Sequence, residues 1–254
     1  MKKKVLFMTL AAAVVLTACG GNASSESADV ETAVTEEAEA ESEETEASDE
    51  EAEAVENEDA AETEEAAEET EAEETEGYAK GTVTENGWES AHLGLRFTAP
   101  EGMTMSTEEE LNQVMGLGED VLSEDFSELA LEYAKMATVY EMMSTDELGT
   151  TNVIMTAEQL PTASIDAEAY ADAIRQNLAS ISQMTYTVSE ENEIVPLGGT
   201  DFIKIASTVD YSGVSMYQDY YISIIGDRAV SIAVTYIDDT AELAGQIVDG
   251  FGAY

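Results

Sequence analysis

From Gly20 to Gly77 the chain has no aromatic residue, no isoleucine and no leucine, and this gap decides which part of it can fold. Val30, Val34 and Val55 are the only branched aliphatics there, against 26 acidic residues and no Lys or Arg. Such a stretch cannot bury enough apolar surface to offset the entropy of ordering its backbone, so disorder is expected. Glu and Ala favour helix intrinsically, but Glu at i and i+4 repels with no Lys to relieve it. Fully extended, 58 residues reach about 190 Å at ~3.3 Å each. The segment is read as a spacer, with weak divalent-cation binding by the polyanion as the sharper alternative.

Charge narrows the partners. Of the 56 acidic residues 30 lie beyond Gly77, where only six basic ones remain, so the rest of the chain is itself near −24. A protein of this charge cannot neutralise phosphates and is repelled by nucleic acid and by anionic head groups. Cations and basic surfaces are the favoured partners.

The first nineteen residues carry their own pattern. Lys2, Lys3 and Lys4 precede a twelve-residue apolar run, Val5 to Leu16. That run is too short to cross a hydrocarbon core as a helix and suits a signal peptide. Leu16, Thr17, Ala18, Cys19 and Gly20 follow. This segment resembles the lipobox of bacterial lipoprotein precursors. The resemblance implies cleavage between Ala18 and Cys19, a diacylglyceryl group on the Cys19 thiol, further acylation by palmitate, and a place on the extracytoplasmic face of the cell membrane. Two acyl chains bury roughly 30 methylenes at ~0.8 kcal/mol each, an effectively permanent anchor. Cys19 is the single cysteine, so its lipidation removes thiol catalysis, and no intrachain disulfide is possible. The expected division is 1–18 signal peptide, 19–77 lipidated cysteine and Glu/Ala/Thr-rich tether, and 78–254 folded domain.

In that domain, Leu95, Phe97 and Ala99 alternate as a strand ending at Pro100. Ser106 to Glu109 reads as a capping box opening a short helix with Leu111, Val114 and Met115, broken at Gly116 and Gly118. A second helix is expected to bury Phe126, Leu129, Ala130 and Tyr133. Strands are expected at Thr138–Met143 and Thr151–Gln159, around a turn with Gly149. Asp166 should start a helix whose stripe is Tyr170, Ile174, Leu178 and Ile181, stapled by Ile165. Strand segments follow at Met184–Ser189 running into Ile194–Leu197, at Phe202–Val209 and at Val214–Ile225. Tyr211, Ser212 and Gly213 form a turn, and Gly226-Asp227 a tight hairpin into Arg228–Tyr236. A last helix from Asp239 should turn Leu243, Ile247, Val248 and Phe251 inward.

Neighbouring strands joined by short turns give an α+β domain, an antiparallel sheet with helices on both faces. The run Gly94 to Gly102, the pairing of Tyr140–Met143 with Asn152–Met155, and the closing hairpin and helix resemble the PsbP-like family, including small lipoproteins of anaerobic Gram-positive bacteria. The resemblance implies an α/β/α sandwich over roughly 86–254. By analogy with the photosynthetic members it also implies a non-catalytic binding or assembly role.

Chemistry is thinly signalled. His92 is the only histidine, and nothing beside it in sequence supplies a nucleophile, so it reads as structural or exposed. No zinc-protease, serine-elbow, calcium-loop or Walker motif occurs. Met142 and Met143 read as core filler in preference to copper ligands. Asp238 and Asp239 read as a helix cap in preference to metal ligands. No catalytic residue, metal site or cofactor is assigned. Tyr217 and Tyr221 share a strand face with Asp219 and Ser223, either a sugar or peptide platform or a half-exposed sheet face, with Tyr220 opposite. The expected function is a non-catalytic, membrane-anchored module binding an envelope protein or polymer. The alternatives are a glycan or cell-wall hydrolase using two carboxylates and a solute-binding lipoprotein of a transporter.

Overall fold

The computed structural model describes residues 77–254, apart from 124, 183, 212 and 213. The leader, Ala18, Cys19 and the acidic segment lie outside the described residues, as do two residues of the turn at Tyr211. Twelve strands and four α-helices follow in the order β1 (Thr82–Thr84), β2 (Gly87–Ser90), β3 (Leu95–Thr98), β4 (Met103–Met105), α1 (Glu108–Leu122), α2 (Glu128–Ala137), β5 (Thr138–Asp146), β6 (Asn152–Gln159), α3 (Ala167–Ser180), β7 (Thr185–Val188), β8 (Glu193–Leu197), β9 (Thr200–Tyr211), β10 (Val214–Ile225), β11 (Arg228–Tyr236), α4 (Ala241–Asp249) and β12 (Phe251–Ala253). No helix among the described residues is long and apolar enough to cross a membrane.

The large sheet runs β4-β5-β6-β11-β10-β9-β7, with β8 also paired to β9, and every pairing is antiparallel. One face carries Ile203, Ile205, Tyr220, Ile222 and Ala233 against Tyr170, Ile174 and Leu178 of α3. On the same side Leu111 and Met115 of α1 and Ala134 of α2 meet Met143 and Ile154. The other face carries Met142, Met155, Phe202, Val230, Ile232 and Val234. It is covered by Ala244 and Ile247 of α4 and by Trp88, Leu95, Phe97 and Phe251 of a second sheet, β1-β2-β3-β12. The domain is therefore α+β, an antiparallel sheet with helices on both faces.

The expected β10–β11 hairpin forms with Ile225 paired to Arg228 across two residues, and Gly226 takes φ +64, the left-handed region such a turn requires. The Asp166 helix begins as read: Asp166 Oδ1 accepts from the Ala169 N–H at 2.9 Å. Asp166→Ala should cost about 1 kcal/mol of stability, seen as a lowered urea midpoint with an unchanged slope.

Several expectations are corrected. The capping box sits one residue on. The Glu110 N–H donates to Thr107 Oγ1 at 3.2 Å and the Thr107 N–H to Glu110 Oε2 at 2.9 Å, because Ser106 is already tied to β5 through the Met143 carbonyl. The first helix continues through Gly116 to Leu122. Each glycine costs about 1 kcal/mol relative to Ala, and the docking of Leu111 and Met115 outweighs it. Leu129 is 76% exposed, and Leu131 and Ala134 turn inward instead, because Ser127 caps the helix through the Ala130 N–H and sets its phase. The segment expected to run from Met184 to Leu197 is two strands, both paired along the same edge of β9. Arg175 shapes the link between them, donating to the Ser189 carbonyl and to Asn192 Oδ1. A short 3₁₀ turn, Asp238–Thr240, precedes α4, so Asp239 is not its cap. Phe251 lies past the helix in β12, opposite Phe97. The strands β1, β2, β4 and β12 had no expectation, whereas β3 forms as expected but joins this second sheet and not the large one.

Candidate functional site

Two groups of polar side chains stand out, one sealed and one open. The sealed one centres on Glu141. Tyr140 pairs with Thr156 and Met142 with Met155, so Glu141 is an extra residue bulged out of β5. The bulge sends it to the face of the second sheet. Tyr78 Oη donates to Glu141 Oε1 at 2.6 Å, and the Gly81 N–H and Trp88 Nε1 donate to Oε2 at 2.8 and 3.2 Å. Glu141 is fully buried. Burial pushes its pKa above the ordinary glutamate value, against the pull of the three donors and of Lys80. Burial, and then Glu141 itself, likewise push the Tyr78 phenol up. The Arg228 guanidinium lies 3.7 Å over the Tyr78 ring and donates to the Ala157 carbonyl. This group fastens the first described residues onto the core, with Glu141 buried out of contact with solvent.

The other fully buried glutamate, Glu158, accepts from Tyr170 of α3 at 2.5 Å. It therefore sits on the opposite face of the large sheet from Glu141, and the two do not make the facing pair a glycosidase needs.

The open group is a cleft of about 370 Å³ between the large sheet and α4. Lys204 of β9, Asp219 and Tyr221 of β10, and Val234 and Tyr236 of β11 form its floor, with Ala244, Gly245, Val248 and Asp249 of α4 among its wall. Register explains the convergence: Tyr221 is opposite Lys204, and Asp219 is opposite Val234. Alternation along β10 puts Tyr217, Asp219 and Tyr221 on one face and buries Tyr220 on the other, as read from sequence. Lys204 Nζ lies 3.0 Å from Asp219 Oδ2 and 5.8 Å from the Tyr221 ring centre. Tyr236 Oη donates to the same Asp219 oxygen at 3.3 Å, and Tyr217 stacks on Tyr236 with centroids 5.3 Å apart. Burial and then Asp219 push Tyr236 up to about 12. Burial raises Tyr221 as well. Tyr217 is raised chiefly by its hydrogen bond with Asp238.

The remaining residues singled out from sequence fall elsewhere. His92 is exposed, edge-on to the Tyr78 ring at 4.7 Å. Met142 and Met143 point to opposite faces of β5, each into a separate core cluster. Asp238 and Asp239 open the 3₁₀ turn. Ser223 is buried near the far end of β10. Sequence reasoning found Tyr217, Asp219 and Tyr221 but missed Lys204 and Asp249. The signal for Lys204 was present in the β9–β10 hairpin, whose pairing puts it opposite Tyr221; Asp249 had none.

No protein-family model matches the sequence, and no curated protein matches it. The structure is similar to the solution structure of cyanobacterial PsbP (CyanoP) from Synechocystis, with a TM-score of 0.42 and 11% identity over 70% of this chain and 98% of that one. It is also similar to a crystal structure of a Bacteroides thetaiotaomicron protein, with a TM-score of 0.36 and 15% identity over 63% of this chain and 45% of that one. A third likeness is to LpqN of Mycobacterium tuberculosis, described as involved in cell envelope biogenesis, with a TM-score of 0.35 and 11% identity over 62% of this chain and 82% of that one.

Proposed function

We propose that this chain is a lipid-anchored extracytoplasmic protein with a PsbP-like domain, which binds an envelope component without catalysis through the cleft under α4. The observation that carries the binding reading is the Asp219 carboxylate, matched by Lys204 and Tyr236 inside a tyrosine-lined opening. A carboxylate flanked by an ammonium and a phenol at an opening offers charge and hydrogen-bond acceptors for recognition. The acid with the raised pKa, Glu141, is sealed away from solvent. The anchoring reading rests on Lys2 to Lys4, the apolar run and Cys19, and the acidic segment then serves as the spacer.

Two experiments test the two halves. Cys19→Ala should abolish incorporation of labelled palmitate and move the protein from the membrane to the soluble fraction; continued labelling would remove the anchor. A photo-crosslinking amino acid at position 217, used in intact cells, should trap an envelope protein or polymer. Trapping at 217 no stronger than at an exposed control position such as 148 would count against the cleft.

One observation favours a second reading. Asp219 and Asp249 both line the cleft, so a carboxylate-dependent hydrolase would act there. Release of reducing sugar from cell-wall glycan, lost in Asp249→Asn, would establish it. The solute-receptor reading has less support: among the described residues the small sheet packs against the large one around a shared core, with no second lobe.

A further inference from the structure

We infer that the cleft under α4 recognises an organic ammonium group, a protonated amine on a small polar body. This deepens the binding reading above and rests on it. The charge around the opening is one-sided. Asp219 and Asp249 line it, and Asp238 stands against Tyr217. Glu193 and Asp210 act electrostatically on Tyr221 and Tyr217 from the neighbouring strands. Among the described residues the one cation lining it, Lys204, is already engaged by Asp219. An anionic ligand would be repelled by Asp219 and Asp249, whereas a cation is drawn in.

Lys204 also shows how the cleft holds an ammonium. Its Nζ is ion-paired to Asp219 and faces the Tyr221 ring, which combines a charge-assisted contact with cation–π attraction. Both contacts to Asp219 fall on Oδ2, and among the described residues Oδ1 receives no hydrogen bond. Asp219 thus has acceptor capacity left for a second ammonium. The Tyr217–Tyr236 pair offers further ring surface and phenol oxygens alongside. A bare metal ion suits the cleft poorly, since among the described residues no three His, Cys, Asp or Glu side chains are grouped to hold one.

The same amine chemistry occurs on free amino sugars and on glycan polymers, so the test uses both. Calorimetry on the full-length protein in detergent would compare glucosamine with N-acetylglucosamine, which keeps the sugar and loses the charge. Chitosan oligomers compared with chitin oligomers make the polymer arm. The acidic segment is common to every variant, so differences between variants report on the cleft. Glucosamine should bind at least about tenfold more tightly than its acetylated form. Asp219→Asn should weaken it about tenfold or more, the loss expected for one charged hydrogen bond. Lys204→Met should strengthen it by releasing Asp219. A purely structural ion pair would make both substitutions weaken binding, so these opposite signs are the decisive readout. Tyr236→Phe, which keeps the ring, should weaken binding only a few-fold and serves as the variant least disruptive to folding. Chitosan binding well beyond glucosamine would identify the polymer as the source, and equal affinity per amine the free sugar. Equal binding of the acetylated and free sugars, or indifference to Asp219→Asn, would overturn the ammonium assignment. The crosslinking at position 217 would be unaffected by that result, so failure of this inference is distinct from failure of the binding reading.

Discussion

Glu141→Ala should lose at least about 3 kcal/mol of stability, whereas Glu141→Gln should stay within about 1–2 kcal/mol of the parent at neutral pH. The alanine leaves the Tyr78 hydroxyl, the Gly81 N–H and the Trp88 indole N–H without their acceptor, each a buried donor stripped of its partner. The glutamine keeps one carbonyl for Gly81 and Trp88 and turns its amide to donate to the Tyr78 oxygen, which can accept as well as donate. The pair also differs in pH response. Burial raises the folded-state pKa of Glu141 above its unfolded value. A raised acid binds its proton more tightly when folded, so its contribution is fully present below the ordinary glutamate pKa. That contribution is lost as pH rises through the folded value. Urea midpoints of the parent should therefore fall relative to those of Glu141→Gln as pH is taken upward across that window. Parallel pH profiles for the two proteins would show that Glu141 ionises without strain and would sink the account.

Gly87→Ala and Gly116→Ala should act with opposite sign. A Cβ on Gly87 would stand 2.1 Å from the Phe97 carbonyl oxygen, backbone that cannot swing aside. Room for it requires β2 to part from β3, where Gly87 pairs with Thr98 and Trp88 with Phe97. The loss should be about 3 kcal/mol or more, near the upper range for overpacking. A Cβ on Gly116 in α1 meets nothing within 4 Å, so alanine there should stabilise by up to about 1 kcal/mol through helix propensity. Thermal unfolding of the two variants beside the parent checks both. A mild effect at Gly87 would mean that the second sheet contributes little to stability.

The parts read correctly from sequence are those whose information is local. The hairpin at Gly226-Asp227 sets its own register, and alternation from Val230 to Val234 does the rest. The helix from Asp166 carries both a cap and a stripe at helical spacing. The strands that escaped notice span three or four residues, too few for a period to show, and they exist because a distant partner pairs with them. Glu141 was missed for a different reason. Counting by twos from Tyr140 fails at the bulge, and the side chain that sequence alone puts beside Met143 turns up beside Met142. The cleft was half legible: one strand displayed Tyr217, Asp219 and Tyr221, but Lys204 enters only through cross-strand pairing, and Asp249 through the packing of α4.

The pairing of β3 with β12 sets an order of events when the chain emerges from its N-terminus. Phe97 appears early, and its partner Phe251 follows only 154 residues later. Until then β3 presents a bare edge, and Trp88, Leu95 and Phe97 lack their final cover. Closing so distant a contact is slow, since chain entropy must be overcome before the pairing stabilises anything. A chain that emerges N-terminus first thus keeps this edge open until β12 has followed. Loss of Phe251–Ala253 would leave that edge open for good.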